Sequence, residues 1–223
     1  MLIEHELKPT GTLALRHSRN GYQVLQRRKV PFWWVLTQNW DFIRSYVLGH
    51  IQTGIALLAN RLFGIVTITS ELRIERFDHL SGVIWDYGVT SRRVVTDAFV
   101  ALLIDACDTG ASPALDLFNF GAFGTSTAVE AATDTGMTTE LTTQYATDNT
   151  RPTGTISQPS ASQYRMVVTL APDATVTVQE FGPMSQAAVG GGSLMDRSLT
   201  GAQALVSGDT LAPTYTLSVT SGG

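Results

Sequence analysis

Tyr164-Arg165-Met166-Val167-Val168-Thr169-Leu170 and Thr175-Val176-Thr177-Val178-Gln179-Glu180-Phe181 are two alternating apolar runs, separated by four residues that include Pro172. A period of two puts successive side chains on opposite faces of an extended chain, so each run predicts a strand with one face toward a core. The same period recurs from residue 111 to the end, over 117–123, 136–142, 153–157, 193–199, 202–206 and 214–220. Turn-rich stretches such as Pro159-Ser160-Ala161-Ser162 and Gly190-Gly191-Gly192 lie between these runs. Many short strands with regular turns predict a mainly β fold, an antiparallel β-sandwich or jelly roll over 111–223. Threonine, with 23 copies after residue 81, suits strands that keep one wet face, because it is β-branched and polar.

Upstream the period changes. Residues 11–28 predict a hairpin about Asn20-Gly21, a pair that tolerates positive φ. A helix is expected over 39–63, with Asn39 as N-cap and Asp41 in the first turn. Ile43, Val47, Ile51, Ile55, Leu58 and Leu62 recur at three- and four-residue spacing, the stripe by which a helix usually meets its core. A second hairpin, turning at Ser81-Gly82, and a second helix, from Thr96 to about Cys107, occupy 71–110. The expected organisation is a hairpin-and-helix docking arm over 1–70, a lead-in over 71–110 and the sandwich over 111–223.

Composition narrows the function. All four histidines and both lysines precede residue 82, and residues 82–223 hold one cysteine. That body has few groups able to move a proton near neutrality or to ligate a metal through nitrogen or sulfur. Residues 1–81 carry ten basic and six acidic residues, net +4, and residues 82–223 five and thirteen, net −8. The strongest basic cluster is Arg27-Arg28-Lys29, thin for a phosphate-binding surface, so no nucleic-acid partner is expected. Arg44 precedes the apolar stretch 45–69 and Arg61 interrupts it, with His50 and Gln52 between them, so no membrane span is expected. The first residues lack the pattern of a signal peptide.

No nucleophile elbow, P-loop, HExxH or CxxC motif occurs, and no catalytic residue, cofactor or metal is expected. The pair Asp105 and Asp108 would act as glycosidase carboxylates only across a sugar cleft, and a solvated helix end is the plainer reading. Phe120–Thr127 has the glycines of a phosphate loop but no helix to follow, and reads as a strand-to-loop turn. Asp196 and Arg197 fall on opposite faces of a strand and are expected to pair with different neighbours. Asp148, Asn149, Arg151, Pro152 and Gly154 form a structural loop, with Asx turns, one fixed φ, and an arginine suited to a carboxylate anchor. Trp33, Trp34, Trp40 and Phe42, with Ile51 and Ile55, are the candidate partner interface, because tryptophan concentrates at interface hot spots and the arm has little core of its own. A dimer or trimer is expected from that apolar content.

Residues 71–223 also resemble a group of small virion-associated proteins of tailed bacteriophages. The likeness runs through Ser91-Arg92-Arg93-Val94-Val95-Thr96-Asp97-Ala98, Leu117-Phe118-Asn119-Phe120, and the stretch from Gly124-Thr125-Ser126-Thr127 to Thr135. It continues through Tyr145 to Thr155, then Phe181-Gly182-Pro183-Met184-Ser185-Gln186-Ala187-Ala188, the three glycines and Leu194-Met195-Asp196-Arg197-Ser198. Where the group has Gly-Thr-Gly-Thr preceded by a histidine, this chain has Ala122 and Gly124-Thr125-Ser126-Thr127. The resemblance implies a virion location, the major capsid protein or other virion proteins as partners, and no catalytic residue. Capsid cement or decoration is the leading expectation, and a tail, neck or fibre-base component the alternative. A carbohydrate-binding module, with Tyr145, Tyr164 and Tyr215 as platforms, is the reading from another class.

Overall fold

The computed structural model describes residues 13–18, 21–93, 95–108 and 118–221. In chain order the elements are β1 (Leu13–Ser18), β2 (Gly21–Lys29), α1 (Trp33–Leu36), α2 (Trp40–Phe63), β3 (Thr67–Asp78), β4 (Val83–Arg93) and α3 (Asp97–Asp108). They are followed by β5 (Phe120–Gly124), β6 (Thr155–Ser160), β7 (Gln163–Val167), β8 (Val176–Met184), β9 (Ser198–Leu205) and β10 (Thr210–Thr220).

The protein is mainly β, with two sheets. One has seven strands in the order β1-β2-β4-β3-β10-β7-β6, and the other has three in the order β5-β8-β9. Leu72 and Ile74 of β3, Met166 of β7, and Leu211, Tyr215 and Leu217 of β10 face Phe123 of β5, Val178 and Phe181 of β8, and Leu205 of β9 in one core. Two sheets sharing one apolar layer make a sandwich. The large sheet is antiparallel except where β2 runs parallel to β4, from Gln26↔Val83 to Lys29↔Asp86. It is therefore a mixed sheet.

The long centre of the large sheet is β3 against β10, paired without interruption from Thr67↔Thr220 to Phe77↔Thr210. Residues 67–93 thus lie within the sandwich, which does not begin at residue 111. The strand expected over 136–142 does not form. The Thr138 and Thr139 amides donate to the Glu180 carboxylate, at 3.3 and 2.8 Å, so they are taken from any ladder. The runs 193–199 and 202–206 are not two strands either. They are replaced by β9 alone, bent at Gly201, where φ is +68°. Asn20, Gly110 and Leu117 lie outside the described residues.

The first long helix starts as expected. Asn39 is extended, and its side chain accepts from the Phe42 amide at 2.9 Å. Gly64, left-handed at φ 64°, ends it. Its orientation is the reverse of what its stripe predicts. The buried positions are Phe42, Ser45, Gly49 and Thr53. Val47, Ile51, Ile55, Leu58 and Leu62 face outward, and Ile43 is half-buried. The inward face is small because the helix backbone closes on β4. A methyl group at Gly49 would fall well inside van der Waals contact of the Arg92 carbonyl oxygen.

This close approach predicts opposite outcomes for two glycines of one helix. Gly49→Ala overpacks the contact with β4 and lowers stability by about 1–3 kcal/mol. Gly54→Ala meets nothing within 4 Å and raises it by up to about 1 kcal/mol. Urea denaturation of the two variants checks the pair, and equal effects would refute the close approach.

Candidate interaction surface

The apolar face of α1 and α2 is the most exposed apolar part of the described chain. Trp33 is 62% exposed, Trp40 73%, Ile51 52% and Ile55 61%. Phe32 and Leu36 are equally open. Trp34 and Phe42 belong elsewhere. Phe42 is buried with Val35 and Leu199, and Trp34 stands edge-on to Phe42 at 5.6 Å and to Tyr87 at 4.8 Å. The expected interface therefore divides. Two of its six residues form a small core that fastens α1 and α2 to the sandwich, and four stay outside. Gln38 adds to the fastening by accepting from the Ala202 amide at 2.8 Å.

Beneath α2 the contact is ionic. The Arg93 guanidinium pairs with the Glu130 carboxylate and donates to Ser45 Oγ. Ser45 Oγ in turn donates to Glu130 Oε2 at 2.7 Å. Glu130 also accepts from the Leu199 amide at 2.7 Å. One buried carboxylate thus ties together α2, β4 and β9.

Asp196 and Arg197 both lie inside the protein and meet different neighbours, Asp196 accepting from the Ser70 hydroxyl. Arg197 donates to Asp134 Oδ2 at 2.7 Å, to Glu180 Oε2 at 3.0 Å, and to the Ala128 and Val129 carbonyls. Gly124, in the strand leading to the predicted turn, leaves room for Glu180, whose carboxylate occupies the space a Cβ would need. Arg151 is similarly buried. It holds Glu140 with two hydrogen bonds, at 2.5 and 2.9 Å, and donates to the Gln186 and Gly191 carbonyls. The loop from Asp148 to Gly154 is thereby fixed to the glycine-rich loop. Asn149, left-handed at φ 57°, makes the turn, and Pro152 offers its carbonyl to the Gly121 amide.

Other features carry less chemistry. The Tyr145 and Tyr215 rings are buried, and the Tyr164 hydroxyl donates to the Phe118 carbonyl, so these three do not form an exposed sugar platform. Asp78, His79 and Asp209 bring three ligating atoms within 4.8 Å of one another. Most of their acceptors already serve the turn: Asp78 Oδ1 receives the Leu80 and Ser81 amides, and Asp209 receives His79 N–H, His79 Nδ1–H and the Val206 amide. Among the described residues no hydroxyl or thiol is hydrogen-bonded to His79 Nε2. An apolar groove of about 550 Å³ lies between α3 and the β6–β7 hairpin, with no charged group in its lining. The side chains of Asp105, Cys107 and Asp108 lie outside the described residues. No described helix is long and apolar enough to cross a membrane.

No family model, curated protein or solved structure matches the chain.

The signal for the surface was in the sequence, since tryptophans and the stripe were both visible there. The ionic seat was not. Arg93, Glu130 and Ser45 are far apart in sequence, and no local pattern links them. One polar cavity of about 210 Å³ adjoins that seat, lined by Gln52, Arg93, Thr96, Glu130, Asp196 and Arg197. Burial pushes the Asp196 carboxyl up to about 7, against the opposing effects of the Ser70 hydroxyl (2.5 Å) and the Arg93 charge.

A raised carboxyl pKa means that the folded chain holds this proton more tightly than the unfolded chain does. The resulting stabilisation is complete below the ordinary value near 3.8 and is lost as pH rises toward about 7. Asp196→Asn is therefore expected to flatten stability between pH 5 and 7, where the parent loses up to about 1.4 kcal/mol per pH unit from this group. Urea titrations of both proteins at several pH values read the difference, and parallel curves would refute the assignment.

Proposed function

We propose that the chain is a structural, non-enzymatic protein of a bacteriophage virion, and that it acts as capsid cement or decoration. The observation that carries the assembly role is the exposed apolar face of α1 and α2. Soluble monomers rarely leave contiguous apolar patches larger than a few hundred Å², and larger ones mark sites of association. The body supports the same reading. Arg93, Arg151 and Arg197 are all paired inside, so little cationic chemistry remains for a substrate. The outer strand faces carry threonine and serine, which suit broad, neutral contacts with neighbouring subunits. The virion assignment itself comes from the resemblance of residues 71–223 to tailed-phage virion proteins.

In this role the sandwich would cap junctions between capsid subunits, with the aromatic residues Phe32 and Trp33 placed against a shell protein. The partner class is therefore another virion protein, with no nucleic acid and no membrane involved.

Copy number tests the role. Quantitative mass spectrometry of purified particles, scaled to the major capsid protein, is expected to give hundreds of copies for a cement protein that follows the shell's symmetry. A count of roughly three to several tens, the symmetry of a neck, tail or fibre base, would replace cement with that location. Absence from particles would end the structural reading.

A further inference from the structure

The exposed side of α2 has the same pattern from both ends. Positions 40, 44, 47, 51, 55, 58 and 62 are all exposed, and reversing them about Ile51 returns the same seven positions. Trp40, Ile51 and Leu62 stand eleven residues apart, close to three full turns, so they lie on one line along a straight helix. The residues packed on the body, Phe42, Ser45, Gly49 and Thr53, occupy the opposite side. A two-fold contact requires that residue i meet j wherever j meets i. A stripe symmetric about its own centre meets that condition when two copies lie antiparallel.

We infer that the α2 face is covered by the α2 of a second copy, antiparallel, with the two-fold axis at Ile51. This inference rests on the assembly role proposed above and names the first partner of that surface. The pairing brings Val47 level with Ile55 of the second copy, Leu58 with Arg44, and Leu62 with Trp40.

Charge selects the antiparallel direction. Arg44 is the one ionised residue in the stripe. Parallel helices would set Arg44 against Arg44. The antiparallel arrangement separates the two by about 21 Å along the axis, well beyond the ~8 Å screening length at physiological salt. It also lays the aliphatic stem of Arg44 along Leu58.

Area supports the same occupant. The six large apolar residues of the stripe, Trp40, Val47, Ile51, Ile55, Leu58 and Leu62, are 47–73% exposed. Together they present several hundred Å², a large part of one partner's share of a standard interface. Phe32 and the α1 residues Trp33 and Leu36 lie beyond the end of this stripe and remain open for a virion neighbour.

The test uses the full chain with Cys107→Ser as background. Light scattering is expected to give twice the chain mass. Ile51→Lys combined with Ile55→Lys is expected to give the monomer mass with unchanged circular dichroism, because both side chains are exposed in the single chain. Ile51→Cys is expected to form a disulfide-linked dimer under mild oxidation. Ile55→Cys is not, since its two copies would stand about 12 Å apart along the axis, out of disulfide reach. A monomeric parent, a dimer indifferent to the lysines, or equal linking at both cysteines overturns the pairing. Particle content is scored separately. A monomer that still enters virions overturns this pairing and leaves the structural role standing. A dimer linked at Ile51 but absent from virions supports the pairing and removes the role.

Discussion

The ion pair of Arg93 with Glu130, closed by Ser45, determines how the helical layer meets the sandwich. A helix with one apolar stripe normally turns it inward, because burial of each large aliphatic side chain is worth roughly 1.5–3 kcal/mol. Here the available seat contains a buried carboxylate and a guanidinium. An apolar stripe placed on them would leave both without their full set of hydrogen bonds, and an uncompensated buried charge costs several kcal/mol. Ser45 supplies the missing hydroxyl, Gly49 lets the helix backbone approach the Arg92 carbonyl, and Thr53 continues the small face. The outward orientation of Ile51, Ile55 and Leu58 follows from what α2 must cover.

The same principle recurs within the body. Arg151 and Arg197 each sit in a cage of carboxylate and carbonyl oxygens between loops that no ladder connects. Residues 125–154 contain almost no regular structure, and the residues they bury are few: Glu130, Leu141, Tyr145 and Arg151. Fixed donors in such a segment do what strand pairing does elsewhere, giving each backbone carbonyl a defined partner. Buried pairs of this kind add little net stability over apolar packing, but removing one partner is strongly destabilising. Their main effect here is to choose one loop conformation over many.

How much of this was legible in the sequence depended on the range of the deciding interaction. Strands β8 and β10 declared themselves through the alternation of Val176 and Val178, and of Tyr215 and Leu217. The helix caps Asn39 and Thr96 were visible because capping is local, and Thr96 Oγ1 accepts from the Phe99 amide as its position implied. The alternation over 136–142 misled because Glu180, about forty residues away, takes the Thr138 and Thr139 amides. The stripe of α2 was identified correctly, but its direction was not, since period alone cannot say which face meets the body. Among the interface candidates, Trp34 and Phe42 were indistinguishable from Trp33 and Trp40 until Leu199 and Tyr87 were placed beside them.

Stability and association are carried by different residues in this architecture. The core between the two sheets draws on β3, β5, β7, β8, β9 and β10 and includes no residue of α2. The exposed stripe contributes nothing to that core, so its side chains are free to be large and apolar without strain inside the chain. A monomer must then hold that stripe in water, a condition relieved only by covering it. Because the stripe is fixed by an ionic seat on its far side, it is presented as a rigid helix and not as a flexible segment. Little conformational entropy is therefore lost when it is covered, and most of the burial energy is available for association.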